Sequence, residues 1–368
     1  MKIICEQNKL INGVNIVLKA VPSKTTMEIL DCIKIIAKEG KICLIGNDMS
    51  LGIETVVLGE IAEEGTTVVS AKIFSDIIRS LPDSDVVLTS DAKNINIRCE
   101  SSNFDIPVRN PDEYPDLPVI KRDKFAVLSQ LTLKNMIRQT VFSIGSENEA
   151  VKIMSGELLE INGKKMRIVA LDGHRISLRN VELNEEFGDI KVIIPGKTMN
   201  EMVKILSGEL DDKVTIYFSE NHVMFEMENT IVISRLIEGN YYLVDRMISG
   251  DYETKIHINK KNLSDCIERA SLLIKDNDRK PLIFNFTEDN VKVTIKTQTG
   301  NYEDKLFIEK EGEDILIAFS PKFLLDALKV IDDEEIDIYM MNIKSPCIIK
   351  DRDESYMYLI LPVNFNPN

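Results

Sequence analysis

The amino-acid sequence predicts an α+β fold of three tandem copies of one unit, each with two helices packed on antiparallel sheet. Two observations carry that expectation. A helical segment recurs at a constant spacing, and the chain around it turns to period-two alternation or short apolar runs. Setting Lys72, Lys197 and Lys322 in register gives a spacing of 125 residues in both steps. The same offset carries Phe74 to Met199 to Leu324, Ile77 to Met202 to Ala327, Ile78 to Val203 to Leu328, and Leu81 to Leu206 to Ile331. Apolar residues at these steps share one helix face, and a fixed repeat marks tandem structural units. A chain of 368 residues with 44% hydrophobic content is long enough for more than one core.

In chain order, helices are expected over 7–20, 71–81, 132–143, 196–206, 260–275 and 321–330. The first, third and fifth belong to a weaker repeat, seen in "NKLINGVNIVLKAV" from Asn8, "TLKNMIRQTVFSI" from Thr132 and "KKNLSDCIERASLLI" from Lys260. Stretches such as "GKICLIGND", "NINIRCES", "KMRIVALDG", "HVMFEMEN", "NVKVTIKTQ" and "YMYLILPV" read as strands. Asn162-Gly163 is expected to form a hairpin turn, because both residues tolerate the positive φ of tight turns. The polar "NPDEYPDLPVIKRDK" at 110–124 and "GDYETK" at 250–255 are candidate boundaries, giving domains over 1–124, 125–252 and 253–368.

Net charge is −15, which taken alone argues against a polyanionic partner. The helices contradict that average. Lys72 and Arg79, Lys197 and Lys204, and Lys322 and Lys329 each stand seven residues apart, two turns along a face opposite the apolar stripe. The six helical windows hold 14 Lys or Arg against 5 Asp or Glu, leaving the rest of the chain at −24. A shared basic surface on an acidic protein suits sequence-independent contact with duplex phosphates. No aromatic RNA-binding signature, zinc-finger spacing or helix-turn-helix pattern suggests base reading.

The densest cluster of chemically capable residues is "LDGHRIS", with Asp172, Gly173, His174 and Arg175 in succession. A hydrolase using Asp172 and His174 is the enzymatic reading, but no nucleophile motif, phosphate loop or metal-ligand spacing accompanies it. The expectation is therefore no catalytic residue, no metal and no cofactor. The six cysteines are scattered in apolar surroundings and read as reduced, buried thiols. No signal-peptide pattern and no membrane-length apolar run is present, so a cytoplasmic protein without membrane partners is expected.

Taken together, the threefold repeat, the start "MKIICEQNKLINGVNIVLKAVPSKTTMEIL", and the segments "NPDEYPDLP", "LDGHRIS" and "YLILPV" resemble the bacterial DNA polymerase III beta subunit, the replicative sliding clamp. The resemblance runs from Met1 to about Phe365. It implies three DNA-clamp domains per chain and a head-to-tail homodimer forming a six-domain ring around double-stranded DNA. It also implies partners that include the DNA polymerase III alpha subunit, the clamp loader and other clamp-motif proteins. A specialised clamp paralogue, or a protein-interaction scaffold without DNA tethering, is the alternative.

By the same resemblance, "LDGHRIS" belongs to a hydrophobic pocket for short peptides rather than to a catalytic centre. Its walls and rim would come from Met154, Leu171, Gly173, His174, Arg175 and Ile176, from Tyr242, Arg246 and Met247, and from Leu359, Leu361, Pro362 and Val363, with Arg175 and Arg246 at the rim. Candidate DNA contacts are Lys9, Lys24, Lys72, Arg79, Lys134, Arg138, Asn148, Lys152, Lys197, Lys204, Lys322 and Lys329. Phe104 and Ile106 of one subunit would meet Leu272 and Leu273 of the other. The chain departs from the family's usual residues at Lys24, Val151, Tyr242 and Asn364, where arginine, arginine, proline and arginine are common.

Overall fold

The computed structural model describes residues 1–146, 151–248, 251–275 and 280–365. Each expected helical window meets one α-helix: α1 (Gln7–Val17), α2 (Ala71–Ser80), α3 (Gln130–Arg138), α4 (Gly196–Ile205), α5 (Lys260–Ser271) and α6 (Pro321–Leu328). α3 begins two residues before its window and ends at Arg138, with 3-10 turns at Leu18–Ala20 and Val141–Ser143 closing the first and third windows. The helix starts follow from local chemistry. Asn259 accepts a hydrogen bond from the Asn262 N–H at the head of α5, and Pro321 opens α6 where its missing N–H costs nothing. The repeated stripe is buried at Phe74, Met199 and Leu324, while Lys72, Lys197 and Lys322 are exposed.

The chain forms two compact units, Met1–Leu131 with Lys204–Leu236, and Thr132–Val203 with Ile237–Asn368. In the first, one 13-stranded antiparallel sheet runs from edge strand Phe125–Ser129 to edge strand Glu60–Glu63. α1 packs on α2 and on strands Lys41–Asn47 and Leu51–Val57. The approach is close enough that a Cβ on Gly46 would lie 2.3 Å from the Val17 carbonyl oxygen, so that position admits no side chain. Strand Ser102–Arg109 pairs with Asn94–Cys99 along most of its length, but with Gly65–Ser70 only at Val108 and Arg109. One side of its first half is an open edge.

The second unit holds a seven-stranded and a four-stranded antiparallel sheet. α5 and α6 pack together over a core that includes Leu263, Ile267, Phe284, Leu324, Leu328 and Tyr358. Asn301–Phe307 is the outer strand of the four-stranded sheet. Two long strands, Gly156–Leu171 and Arg175–Pro195, form an extended hairpin at one edge of the seven-stranded sheet. Here one sequence expectation is corrected. Asn162-Gly163 makes no hairpin turn; Gly163, at φ +59°, lies inside the first strand where the pairing register shifts. The strands have 16 and 21 residues, and the extra chain lies on the second, where residues 182–190 face only 161–165; Gly163, tolerant of positive φ, lets the first strand follow that bulge. The reversal occurs at 172–174 instead.

All six cysteines are free and five are buried. Burial raises the Cys5 thiol to about 11 and the Cys347 thiol to about 12, which keeps both protonated and unreactive at neutral pH. No helix among the described residues is long and apolar enough to cross a membrane.

Glu157, near the start of the hairpin, is fully buried, and neither carboxyl oxygen has a hydrogen-bond partner. The nearby Thr140 hydroxyl is committed to the Met136 and Ile137 carbonyls. Desolvation raises the Glu157 pKa from 4.5 to about 8. Below pH 4.5 the carboxyl is neutral folded or unfolded; between 4.5 and 8 only the folded chain holds the proton, so the stability it contributes is lost as pH rises through 8. Thermal melts from pH 5 to 9 should show the native protein weakening relative to Glu157→Gln, by about 1.4 kcal/mol per unit of pKa displacement at most. Parallel curves for the two proteins would mean that Glu157 is not held neutral.

Candidate functional site

The segment 172–174 is the turn of the long hairpin, and its residue types follow from that geometry. Asp172 Oδ1 accepts from the His174 and Arg175 backbone N–H groups at 3.0 and 3.1 Å, and Gly173 sits at φ +85°. An aspartate that closes its own turn and a glycine in the left-handed region form a sequence-encoded reversal. His174 is exposed, with its ring centroid 5.9 Å from that of Phe323.

Arg175 is not at a rim, as the sequence suggested, but only 6% exposed. Its Nε donates to Asp172 Oδ2 at 2.9 Å, Nη1 to Asp326 Oδ2 at 2.7 Å and Nη2 to the Phe142 carbonyl at 2.6 Å. The guanidinium also lies 4.6 Å from the Phe323 ring centroid and 5.4 Å from that of Phe142. A desolvated guanidinium between two aromatic faces, with two carboxylates and a carbonyl on its fork, meets the condition for burying a charge. Asp326 and Phe323 belong to α6, so Arg175 fastens the hairpin turn to that helix. The Asp172 carboxylate is spent on the turn and on Arg175, so it is not available to His174 as a base.

Above this anchor lies a cavity of about 280 Å³, in the size range of small ligand sites. Met154, Leu171 and Ile176 contribute its hairpin side, with Gly173, His174 and Arg175 at the turn. Tyr242 and Met247 form a second wall, and Leu359 and Leu361 a third. Pro346 completes the lining and was missed by sequence reasoning. Its only signal was a proline after a turn, with nothing tying it to residues more than a hundred positions away. Arg246 is exposed and, like Pro362 and Val363, does not line the cavity; the Val363 N–H instead bonds the Ala318 carbonyl. Met247 and Leu361 are 46% and 36% exposed, so apolar surface lies open at the mouth.

The predicted basic residues fall into two groups. Lys9, Lys24, Lys72, Arg79, Lys152, Lys197, Lys204, Lys322 and Lys329 are exposed, with Lys9 bonded to Glu6 and Arg79 3.7 Å from Asp76. Lys134 and Arg138 are half-buried. Arg138 grips Asp332 through both carboxylate oxygens, at 3.0 and 2.9 Å, and reaches the Val330 carbonyl, so its charge is already matched inside the fold. Asn148 lies outside the described residues. Of the predicted seam residues, Phe104 is 37% and Leu272 84% exposed, Ile106 is buried, and Leu273 packs partly into its own core. Phe307, 86% exposed at the end of the outer strand Asn301–Phe307, was not anticipated.

Comparison with known proteins places three family profiles in series along the chain. They are the N-terminal domain of DNA polymerase III beta subunit over 1–118, the central domain over 127–242 and the C-terminal domain over 245–364. A beta sliding clamp from Staphylococcus epidermidis is 34% identical, with 99% of each chain covered. A DNA polymerase III beta subunit from Eubacterium rectale shares 50% identity at a TM-score of 0.95, with 100% of both chains covered. A DNA polymerase sliding clamp from Bacillus subtilis shares 32% at the same TM-score and coverage.

Replacing Arg175 by alanine should lower stability by about 3 to 5 kcal/mol, the cost of leaving the partners of a buried cation unpaired. Lysine should not restore it, since a point charge cannot span three acceptors held in a fork. Urea unfolding checks both, and a midpoint unchanged in Arg175→Ala would refute the anchor.

Proposed function

The chain belongs to the DNA polymerase III beta subunit family, and from that premise we propose that it is a sliding clamp, a processivity factor that encircles duplex DNA and tethers the replicative polymerase. The observation that carries this reading is the tiling of 1–364 by the family's three domains in order. The protein is an accessory subunit with no catalysis of its own. We set the domain boundaries at 1–124, 125–252 and 253–368. The working form is a head-to-tail homodimer whose six domains close a ring, in the cytoplasm.

Two features support ring closure. The open edge of Ser102–Arg109 and the outer strand Asn301–Phe307 each offer unpaired backbone groups, and exposed Phe104, Leu272 and Phe307 offer apolar side chains nearby. Edge-to-edge pairing of unlike strands would satisfy both. DNA contact rests on the exposed lysines of the helices, which can neutralise phosphates without reading bases. The apolar cavity at the hairpin turn suits short linear segments of the polymerase alpha subunit, the clamp loader and other clamp-binding proteins.

Leu272→Asp places a charge at an exposed seam position, so the fold should survive while association fails. Light scattering at micromolar concentration should report a monomer; an intact dimer would put the seam elsewhere. Reversing Lys72, Lys197 and Lys322 together to glutamate should abolish retention on closed circular duplex while shifting stability by no more than about 0.5 kcal/mol per exposed site. Retention should also fall with added salt. Unchanged retention in the triple variant would remove these helix faces from the DNA path.

A further inference from the structure

Next to the main cavity lies a second, smaller one of about 90 Å³. Met247, Pro346 and Leu359 line both, so the two are neighbouring compartments of one groove. The far walls of the smaller one come from Tyr252, Tyr339, Met341 and Ile348, with Asp251, Ser345 and Lys350 around them. We propose that this compartment is an accessory anchor site, taking one branched aliphatic side chain from the segment that flanks a partner's core docking peptide. The inference rests on the peptide-docking reading of the main cavity and adds a specificity element to it.

Three observations favour that occupant. The compartment is small, about 90 Å³ beside about 280 Å³ for its neighbour, and its walls are mostly apolar, which suits a single aliphatic side chain better than a helix. The walls are held in place before any ligand arrives: Tyr252 meets Tyr339 edge to face at 4.9 Å, while Lys255 and Lys350 stand 5.6 and 5.4 Å from the Tyr339 ring centroid. Both lysines are in turn paired, with Asp337 and Glu354, so Tyr339 is braced by matched charges. Tyr252, 49% exposed, and Met247, 46% exposed, leave apolar surface that a ligand would cover. Adjacency sets the reach. An extended chain advances roughly 3.3–3.6 Å per residue, and the compartments share three lining residues, so a side chain a few residues beyond the core is within reach of the second one.

Fluorescence polarisation with two labelled probes tests this on the full-length protein. One is a pentapeptide with two apolar anchors selected on an array for binding the main cavity; the other is the same peptide extended by Gly-Ser and a leucine at the end nearer Met247. The leucine should tighten binding about tenfold, and aspartate in its place should give no gain. Leu361→Ala should weaken both probes equally. Tyr252→Ser should erase only the leucine gain, and Tyr252→Phe should keep it. Equal affinity of the two probes for the native protein, or a leucine gain that survives Tyr252→Ser, overturns the accessory site while leaving the main cavity standing. A pentapeptide indifferent to Leu361→Ala overturns the docking reading and the accessory site together.

Discussion

The buried guanidinium of Arg175 imposes the constraint on which the cavity at the hairpin turn depends. A cation removed from water must be matched on every side, and here the matching groups come from three places: Asp172 in its own turn, the Phe142 carbonyl after α3, and Asp326 with Phe323 on α6. Satisfying one side chain therefore fixes three segments at once. The Leu361 N–H then bonds the His174 carbonyl, carrying the same registration to the chain's last strand. The hairpin-turn side of the cavity is thereby fixed to α6 and to the segment after α3.

That arrangement explains why the residues most suggestive of catalysis serve architecture. Asp172 and Arg175 are three apart and form an ion pair, a pattern that sequence presents as a reactive cluster. What decides their role is Asp326, 151 residues further on, together with the two aromatic faces, and nothing local announces that partnership. Arg138 teaches the same lesson. It sits at a helix position that reads as a solvent-facing cation, yet Asp332 and the Val330 carbonyl claim it.

The helices were legible because their signal is periodic and repeated: Phe74, Met199 and Leu324 occupy equivalent buried positions, and a stripe that recurs at constant spacing is hard to produce by chance. The strands were legible as alternation. Most of the candidate cavity residues were named from family resemblance, and the structure brings ten of them together, while Arg246, Pro362 and Val363 stay outside and Pro346 joins. Sequence reasoning failed where a residue's meaning depends on register. Asn162-Gly163 carries turn chemistry, but two strands of unequal length needed a bulge there more than a reversal. Phe307 drew no expectation from sequence, because its exposure follows from its strand being outermost, which nothing local announces.

The two open strand edges have a further consequence. An edge bearing exposed aromatic residues is adhesive toward any extended chain, and two unlike edges on one molecule can propagate into a filament as readily as they can close on a partner. Asp105 on one edge and Glu303 and Lys305 on the other interrupt the apolar surface and discourage indiscriminate pairing. In the proposed ring, covering both edges at once would serve solubility as well as assembly, and dilution that separated the subunits would expose adhesive edges.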